Sequence, residues 1–284
     1  MESTIWIAII TMGGLGFFFA GALAIADRKL RVEENPLIGS VNEVLPNANC
    51  GACGNAGCYD FAFKVVEGKA APNGCPVGGS DTAEEIARIM GIDPGESVKL
   101  VARILCHGGM AEAARKSAEY AGPESCSVMT LVSGGDKLCL YGCLGGGDCV
   151  SACQFGAIYL NENGLPEVIE ELCTGCGLCA KACPRNVIEV HPIDRELFVF
   201  CKNLDDPKTS KKVCSVACLG CGLCARKSDG GIVMQNNLAI IDFTKLDISK
   251  IPIDKCSTKA IGFISNGKND KSVEKKEQAE VPVS

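Results

Sequence analysis

The chain contains twenty cysteines among 284 residues, and most of them are separated by only two to five residues. Spacing this short restricts the fold, because each group must wrap its backbone around whatever its thiols bind. A chain of this length does not need disulfides as a substitute for a hydrophobic core. The only histidines are His107 and His191, which excludes His-rich metal sites and argues against haem ligation. The thiols therefore form disulfides, bind zinc or hold iron–sulfur clusters.

The N-terminal region indicates the compartment. Thr4–Ala26 is a run of 23 residues without charge, and as a helix it would extend about 34 Å, enough to cross a hydrocarbon core of about 30 Å. A cleaved signal peptide is the alternative, but Glu2 precedes the run while Arg28 and Lys29 follow it. This pattern predicts a single-pass anchor in the cytoplasmic (inner) membrane, with the bulk of the chain on the cytoplasmic side. A cytoplasmic location disfavours structural disulfides and favours metal ligation.

The first cysteine group predicts one [4Fe–4S] cluster. Its pattern is C-x2-C-x4-C-x16-C, and its members are Cys50, Cys53, Cys58 and Cys75. The glycines between them permit the positive φ angles that such wrapping requires. Structural zinc is the alternative, but zinc prefers two cysteine pairs separated by a dozen or more residues. The three-plus-one layout therefore favours a cubane cluster.

The third cysteine group matches the pattern of bacterial two-cluster ferredoxins, and the second group, Cys139-x3-Cys143-x5-Cys149-x3-Cys153, is assigned as its partner run. The third group, CTGCGLCAKACP, is a C-x2-C-x2-C-x3-C-P run, and in that arrangement the fourth cysteine of each run serves the other cluster. One predicted quartet is Cys139, Cys143, Cys149 and Cys183. The other predicted quartet is Cys153, Cys173, Cys176 and Cys179. A hairpin is predicted between the two runs, with strands at Ala157–Leu160 and Pro166–Ile169 and a turn at Asn161–Gly164.

The fourth group predicts a degenerate second ferredoxin unit. It reads CSVACLGCGLC, and Ser228 stands where the crossing cysteine would be. Gly231–Phe243 repeats the hairpin pattern with Asn236–Asn237 at the turn. Cys256 has an isoleucine five residues after it, as do the crossing cysteines of the first unit. One cluster is therefore predicted, with the ligands Cys218, Cys221, Cys224 and Cys256.

Four cysteines remain outside these quartets, namely Cys106, Cys126, Cys201 and Cys214. Two interpretations stay open. They are buried free thiols packed as small hydrophobic side chains, or they form a fifth metal site together. The sequence thus predicts at least four [4Fe–4S] clusters, and five under the second interpretation.

The whole sequence indicates an α+β protein with one N-terminal transmembrane helix, a small 4Fe–4S domain and tandem ferredoxin-like two-cluster units. Periodicity predicts helices at Thr82–Met90 and Met110–Tyr120, and an apolar run predicts a strand in Val98–Leu105. The predicted domains are a transmembrane anchor (1–27), a linker (28–45), a 4Fe–4S domain (46–80), a mixed α/β connecting region (81–136), a two-cluster ferredoxin-like domain (137–192), a degenerate second ferredoxin-like domain (193–262) and a disordered tail (263–284).

Two sequence motifs that are absent, together with the net charge, exclude several classes of function. No G-x-G-x-x-G follows a strand and no G-x4-G-K-[ST] loop is present, so neither a flavin nor a nicotinamide site is predicted. No catalytic Ser, His and Asp arrangement stands out. The net charge of −6 argues against a nucleic-acid-binding surface. The chain is expected to pass single electrons, with hydride chemistry on a partner.

The N-terminal anchor, the C-x2-C-x4-C-x16-C group, the stretch LCLYGCLGGGDCVSACQFGAI and the run CTGCGLCAKACP together resemble the B subunit of the Rnf ion-translocating electron transport complex, in its long form with an extra ferredoxin unit. Residues 50–75 also resemble the iron–sulfur domain of the corrinoid iron–sulfur protein's large subunit. The resemblance implies a relay subunit of a membrane-bound ferredoxin:NAD⁺ oxidoreductase coupled to Na⁺ or H⁺ translocation. It implies ferredoxin as electron donor and other membrane and soluble subunits as partners. The chain departs from long members at Ser228 and in lacking the final C-x2-C-x2-C run.

A second class of function also fits the cysteine groups. The chain would then be a membrane-tethered iron–sulfur or zinc module that reduces a redox-sensing regulator or scaffolds partners. Visible absorbance that bleaches on reduction distinguishes clusters from zinc, and co-purification of integral membrane subunits distinguishes the relay from the tethered module.

Overall fold

The computed structural model describes residues 2–30, 35–117 and 119–264, so all but the first two residues of the predicted tail lie outside the described residues. Helix α1 (Glu2–Leu30) contains a stretch, Ile9–Lys29, of 21 residues that is long and apolar enough to cross a membrane. Its large apolar side chains are exposed, Phe17 by 85%. These side chains are therefore available to lipid, as the predicted anchor requires.

Three helices form the small N-terminal domain: α2 (Pro36–Val44), α3 (Cys58–Val66) and α4 (Gly79–Met90). Helix α4 confirms the helix predicted over Thr82–Met90. Helix α2 lies in the segment expected to be a linker. The Asn35 side chain caps it by accepting a hydrogen bond of 3.0 Å from the Leu37 amide, and Ile38 and Val41 pack with Phe61 in one core. This part of the expected linker therefore belongs to the domain.

The first ferredoxin-like unit is built on two antiparallel strand pairs. Its elements are β1 (Leu100–Ile104), α5 (Cys126–Val132), α6 (Asp148–Ser151), β2 (Ile158–Leu160), β3 (Pro166–Val168), α7 (Leu178–Ala182) and β4 (Ile188–Pro192). Strand β1 pairs with β4, placing Leu100 opposite Pro192 and Ile104 opposite Ile188. Strands β2 and β3 form the predicted hairpin. Strand β1 confirms the predicted strand, and its pairing makes it part of this unit.

The helix expected over Met110–Tyr120 is not formed in the described residues, which exclude Ala118. This segment is held by contacts with distant backbone instead. Ala114 N donates to Val213 O at 2.9 Å, and Lys116 N donates to Asp136 O at 2.7 Å. The Ala-rich sequence favours a helix locally, but these tertiary hydrogen bonds outweigh that weak propensity.

The second unit repeats the strand plan of the first. Its elements are β5 (Leu197–Val199), α8 (Pro207–Val213), α9 (Leu223–Lys227), β6 (Ile232–Gln235), β7 (Leu238–Ile241) and β8 (Ile261–Phe263). Strand β5 pairs with β8, while β6 and β7 form the predicted hairpin. Asn236 and Asn237 form its turn with φ of 46° and 64°, a conformation that asparagine tolerates. Each unit thus consists of an entry strand, a central hairpin and a closing strand.

Side chains from both units pack together at their junction. Leu105, which follows β1, forms an apolar cluster with Phe198 and Phe200 of the second unit. His107 stacks on Phe200 with ring centroids 3.8 Å apart, and burial lowers the pKa of His107. This histidine therefore has a packing role.

Candidate metal centres

The first predicted quartet surrounds one small cavity in the N-terminal domain. Cys50, Cys53, Cys58 and Cys75 all line it. Gly51 and Gly54 adopt φ of 67° and 78°, so the loop can turn between the thiols without steric strain. The Asn49 side chain accepts a 2.9 Å hydrogen bond from the amide of Cys58, where α3 begins. The amide of Gly78 donates to the Cys75 sulfur at 3.4 Å.

A second cavity is lined by four cysteines of the first ferredoxin-like unit, Cys153, Cys173, Cys176 and Cys179. These are the members of one predicted quartet. The amide of Ala102 in β1 donates to the Cys173 sulfur at 3.4 Å, and the amide of Ala157 donates to the Cys153 sulfur at 3.4 Å. Amide groups aimed at sulfur are the environment that stabilises a metal-bound thiolate and tunes its cluster.

A third cavity lies in the second unit and is lined by Cys218, Cys221, Cys224 and Cys256. The sequence predicted this set although thirty-one residues lie between Cys224 and Cys256. Burial opposes ionisation of Cys256, but hydrogen bonds from the Ile261 amide and the Thr258 side chain outweigh it and lower the pKa of this thiol. Cys256 is therefore suited to bind metal as a thiolate.

Ser228 occupies the place of the missing crossing ligand and is fully buried. Its hydroxyl donates to Ala225 O at 3.0 Å and accepts from the Ile232 amide at 2.9 Å. The serine therefore closes the turn between α9 and β6 by hydrogen bonds within the protein.

The remaining predicted quartet, Cys139, Cys143, Cys149 and Cys183, stays a prediction, and the structure shows the surroundings of its members. Cys126, at the start of α5, lies near Cys143 and Cys149. Cys106 also lies near Cys143, and Cys183 and Cys179 lie near Cys149. Burial, the largest effect, raises the pKa of both Cys143 and Cys149 to about 12. These thiols are thus neutral until a metal cation displaces the proton. Cys139, the remaining member of the predicted set, lines the cavity at the junction of the two units that is described below.

Asp148 holds Cys126 in this position. Its carboxylate accepts hydrogen bonds from the Cys126 amide at 2.8 Å and from the Ser127 amide at 2.9 Å. Burial works against the charge, but the hydrogen bonds from Ser127, Cys126 and Ser125 lower the pKa of Asp148. A Cβ on Gly146 would come within 2.6 Å of the Cys126 amide nitrogen. The glycine-rich loop of the second group therefore leaves room for the Cys126 backbone.

A fourth cavity lies at the junction of the two units. It is lined by Cys106, Cys139, Cys201 and Cys214. The fifth set predicted from the sequence contained Cys126 with three of these residues, whereas the structure places Cys139 there. The signal that could have found this set is the spacing Cys139-x3-Cys143, which recurs as Cys214-x3-Cys218.

All twenty cysteines, each within the described residues, are free thiols. Among those residues, no three or more His, Cys, Asp or Glu side chains are arranged to hold a single metal ion. The thiols line cavities in groups of four, a lining that fits an iron–sulfur core. The chain is thus an iron–sulfur protein built from a small cluster domain and two ferredoxin-like units.

Comparisons with known proteins agree with this class. An Fe-S cluster family model matches residues 45–77, and a 4Fe-4S dicluster domain model matches residues 140–190. The chain is 41% identical to the B subunit of the Na⁺-translocating ferredoxin:NAD⁺ oxidoreductase complex of Acetobacterium woodii, covering 95% of this chain and 81% of the relative.

Two further relatives match along nearly their whole length. The B subunit of the ion-translocating oxidoreductase complex of Methanosarcina acetivorans is 39% identical, covering 92% of this chain and 99% of the relative. The B subunit of the proton-translocating ferredoxin:NAD⁺ oxidoreductase complex of Clostridium ljungdahlii is 37% identical, covering 98% and 99%. The chain therefore belongs to the family of B subunits of Rnf-type ion-translocating oxidoreductase complexes. It is an iron–sulfur subunit of an oxidoreductase.

Proposed function

We propose that this chain takes electrons one at a time from reduced ferredoxin and passes them toward NAD⁺ through other subunits of a membrane-bound, ion-translocating complex. The observation that carries the proposal is that quartets of cysteines line cavities in a chain whose N-terminal helix is apolar and exposed. When bound, [4Fe–4S] clusters supply one-electron redox capacity. The chain's own residues hold and space those electron sites.

The geometry and the spacing support four ligand sets. The proposed ligands are Cys50, Cys53, Cys58 and Cys75; Cys126, Cys143, Cys149 and Cys183; Cys153, Cys173, Cys176 and Cys179; and Cys218, Cys221, Cys224 and Cys256. Each thiol gives up its proton when it binds iron. The amide groups around the sulfurs then stabilise the negative charge that remains.

The orientation in the membrane follows from charge. Arg28 and Lys29 lie in the last turn of α1, and basic residues at a membrane helix end favour the cytoplasmic side. The cluster-binding units would therefore face soluble ferredoxin. The coupling ion must cross on another subunit, because the apolar run carries no ionisable residue. The relatives' names include both Na⁺ and H⁺ as transported ions.

The test is electron transfer to the full chain in detergent. Reduced ferredoxin should bleach the visible absorbance of the wild-type protein, and the Cys176→Ser variant should bleach by a smaller amount because one cluster is lost. Affinity purification through the chain should also recover integral membrane subunits. A protein that ferredoxin cannot reduce, and that is recovered alone in mild detergent, would instead be a tethered module.

A further inference from the structure

The two ferredoxin-like units place cysteines at equivalent positions beside their junction. Cys106 stands two residues after the end of β1, and Cys201 stands two residues after the end of β5. Cys139 begins a Cys-x3-Cys pair in the first unit, and Cys214 begins the same pair in the second. The cavity at the junction is therefore lined by one matching pair of cysteines from each unit.

Hydrogen bonds repeat this correspondence. The amide of Cys143 donates to the Cys106 sulfur at 3.4 Å. In the second unit the amide of Cys218 donates to the Cys201 sulfur at 3.3 Å. Cys143 and Cys218 are themselves proposed ligands of the neighbouring quartets. The junction cysteines are thus one hydrogen bond away from a cluster ligand on each side.

The surroundings of the junction cavity favour negative charge. Lys137 lines it with only 6% of its surface exposed, and its ammonium group donates to Gly108 O and Cys143 O, each at 2.9 Å. A [4Fe–4S] core with four thiolates is an anion, which a buried ammonium group stabilises. The chemistry of the lining therefore fits an iron–sulfur cluster.

At this cavity the backbone of two glycines also lies close to cysteine sulfurs. A Cβ on Gly108 would lie 3.0 Å from the Cys214 sulfur, and a Cβ on Gly142 would lie 3.4 Å from the Cys139 sulfur. If the four thiols were only packed as buried side chains, they would contact one another and leave no cavity, because protein interiors are densely packed. These four instead surround a cavity while amide groups point at two of their sulfurs.

We propose that Cys106, Cys139, Cys201 and Cys214 hold a further [4Fe–4S] cluster that connects the two ferredoxin-like units. The proposal rests on the relay function and adds an electron site between the two units. On assembly the four thiols lose their protons and bond the four irons of an incoming [4Fe–4S] core. A cluster held by these four residues would supply a one-electron redox site between the two units, across which an electron would pass from a reduced cluster to an oxidised one. No bond forms or breaks in that transfer.

The experiment measures iron and acid-labile sulfide in the full chain, together with its native mass. Five clusters give about 20 irons per chain, whereas four give about 16. We expect about 20 for the wild type and a loss of about four irons in both Cys106→Ala and Cys201→Ala. The double variant Cys106→Ala/Cys201→Ala should lose no more than either single variant, because both residues bind the same cluster.

Cys176→Ala provides the matched control, because it belongs to a different quartet. Combined with Cys201→Ala it should lose about eight irons. If Cys201→Ala keeps the wild-type iron content while Cys176→Ala loses iron, the junction cluster is overturned and the relay function stands. If the wild-type chain contains zinc and no sulfide, the relay function itself fails. The native mass of the unaltered chain needs no variant to fold, and a mass corresponding to four clusters also overturns the proposal.

Discussion

The two ferredoxin-like units share a β framework and differ in how many cysteine quartets they hold. In each, an entry strand pairs with a closing strand around a hairpin. The first unit brings eight cysteines into two quartets, one of which includes Cys126 from α5. The second unit forms one quartet and has Ser228 at the crossing position. The same strand framework therefore accommodates different numbers of cysteine quartets, which are set by thiols outside the strands.

Replacing a cysteine ligand should have the largest effect on iron content, and its effect on folding should differ between the two units. Cys176→Ser should remove about four irons and leave the other cluster of the first unit in place. Cys221→Ser should remove the only quartet within the second unit, so that unit should also become sensitive to proteolysis, because metal binding contributes to folding. Iron analysis and limited proteolysis check both variants. Equal proteolysis of the two units would contradict this difference.

The next largest effect concerns Cys126, a proposed ligand that lies outside the cysteine runs of the first unit. In Gly146→Ala the new Cβ would clash with the backbone of Ser125 and Cys126, at 2.8 Å and 2.6 Å. Cys126 should move, and the variant should lose up to about four irons. Gly39→Ala is the matched control, because nothing lies within 4 Å of a Cβ there. Full iron content in Gly146→Ala would mean that Cys126 is not a ligand.

A smaller effect should distinguish Lys137 from Lys212, which lie two residues before Cys139 and Cys214. Lys137 is buried and pairs with two carbonyl groups, whereas Lys212 is exposed. Lys137→Met should cost about 1–3 kcal/mol of unfolding free energy, because buried carbonyls lose their donor. It should also make one reduction potential more negative, because a cation near the reduced cluster is lost. Lys212→Met should leave both denaturant midpoint and potentials unchanged.

Ser228→Cys tests whether the missing crossing thiol alone explains the second unit. We expect no gain of iron, because the chain has no C-x2-C-x2-C run after the second hairpin. Stability should fall by about 1 kcal/mol, because a thiol replaces the hydroxyl bonded to the Ile232 amide. Iron analysis and urea denaturation measure the two effects. About four extra irons would show that the second unit retains a hidden ligand set.

The smallest expected effect is a pH dependence at the junction. Hydrogen bonds from His191 and Lys202 outweigh burial and lower the pKa of Glu189 from 4.5 to about 2. A carboxylate with a lowered pKa adds stability above its unfolded pKa, and this is lost as pH falls toward its folded pKa. The stability difference between wild type and Glu189→Gln should therefore shrink as pH falls from about 5 toward 2. Urea midpoints of the two proteins, measured across this pH range, check the trend.

Ligands that are close along the chain, or that follow a repeated pattern, could be predicted from the sequence. The run from Cys173 to Cys183 and the hairpin at Asn236–Asn237 are local signals, and the structure forms that hairpin. The repeated Cys-x3-Cys spacing could have placed Cys139 with Cys214, but the place of Cys126 could not be read from spacing, because it depends on how residues 105–117 and 119–136 fold onto the units. The same segment gave the wrong helix at Met110–Tyr120. Its contacts, such as Ala114 with Val213, span about a hundred residues and have no local signature.

The most direct test of the electron relay is the ratio of iron, acid-labile sulfide and zinc in the purified full chain. We expect equal iron and sulfide, at least about 16 of each per chain, with zinc absent and a visible absorbance that reduced ferredoxin bleaches. A colourless protein that contains zinc but no sulfide would contradict the electron relay in both units.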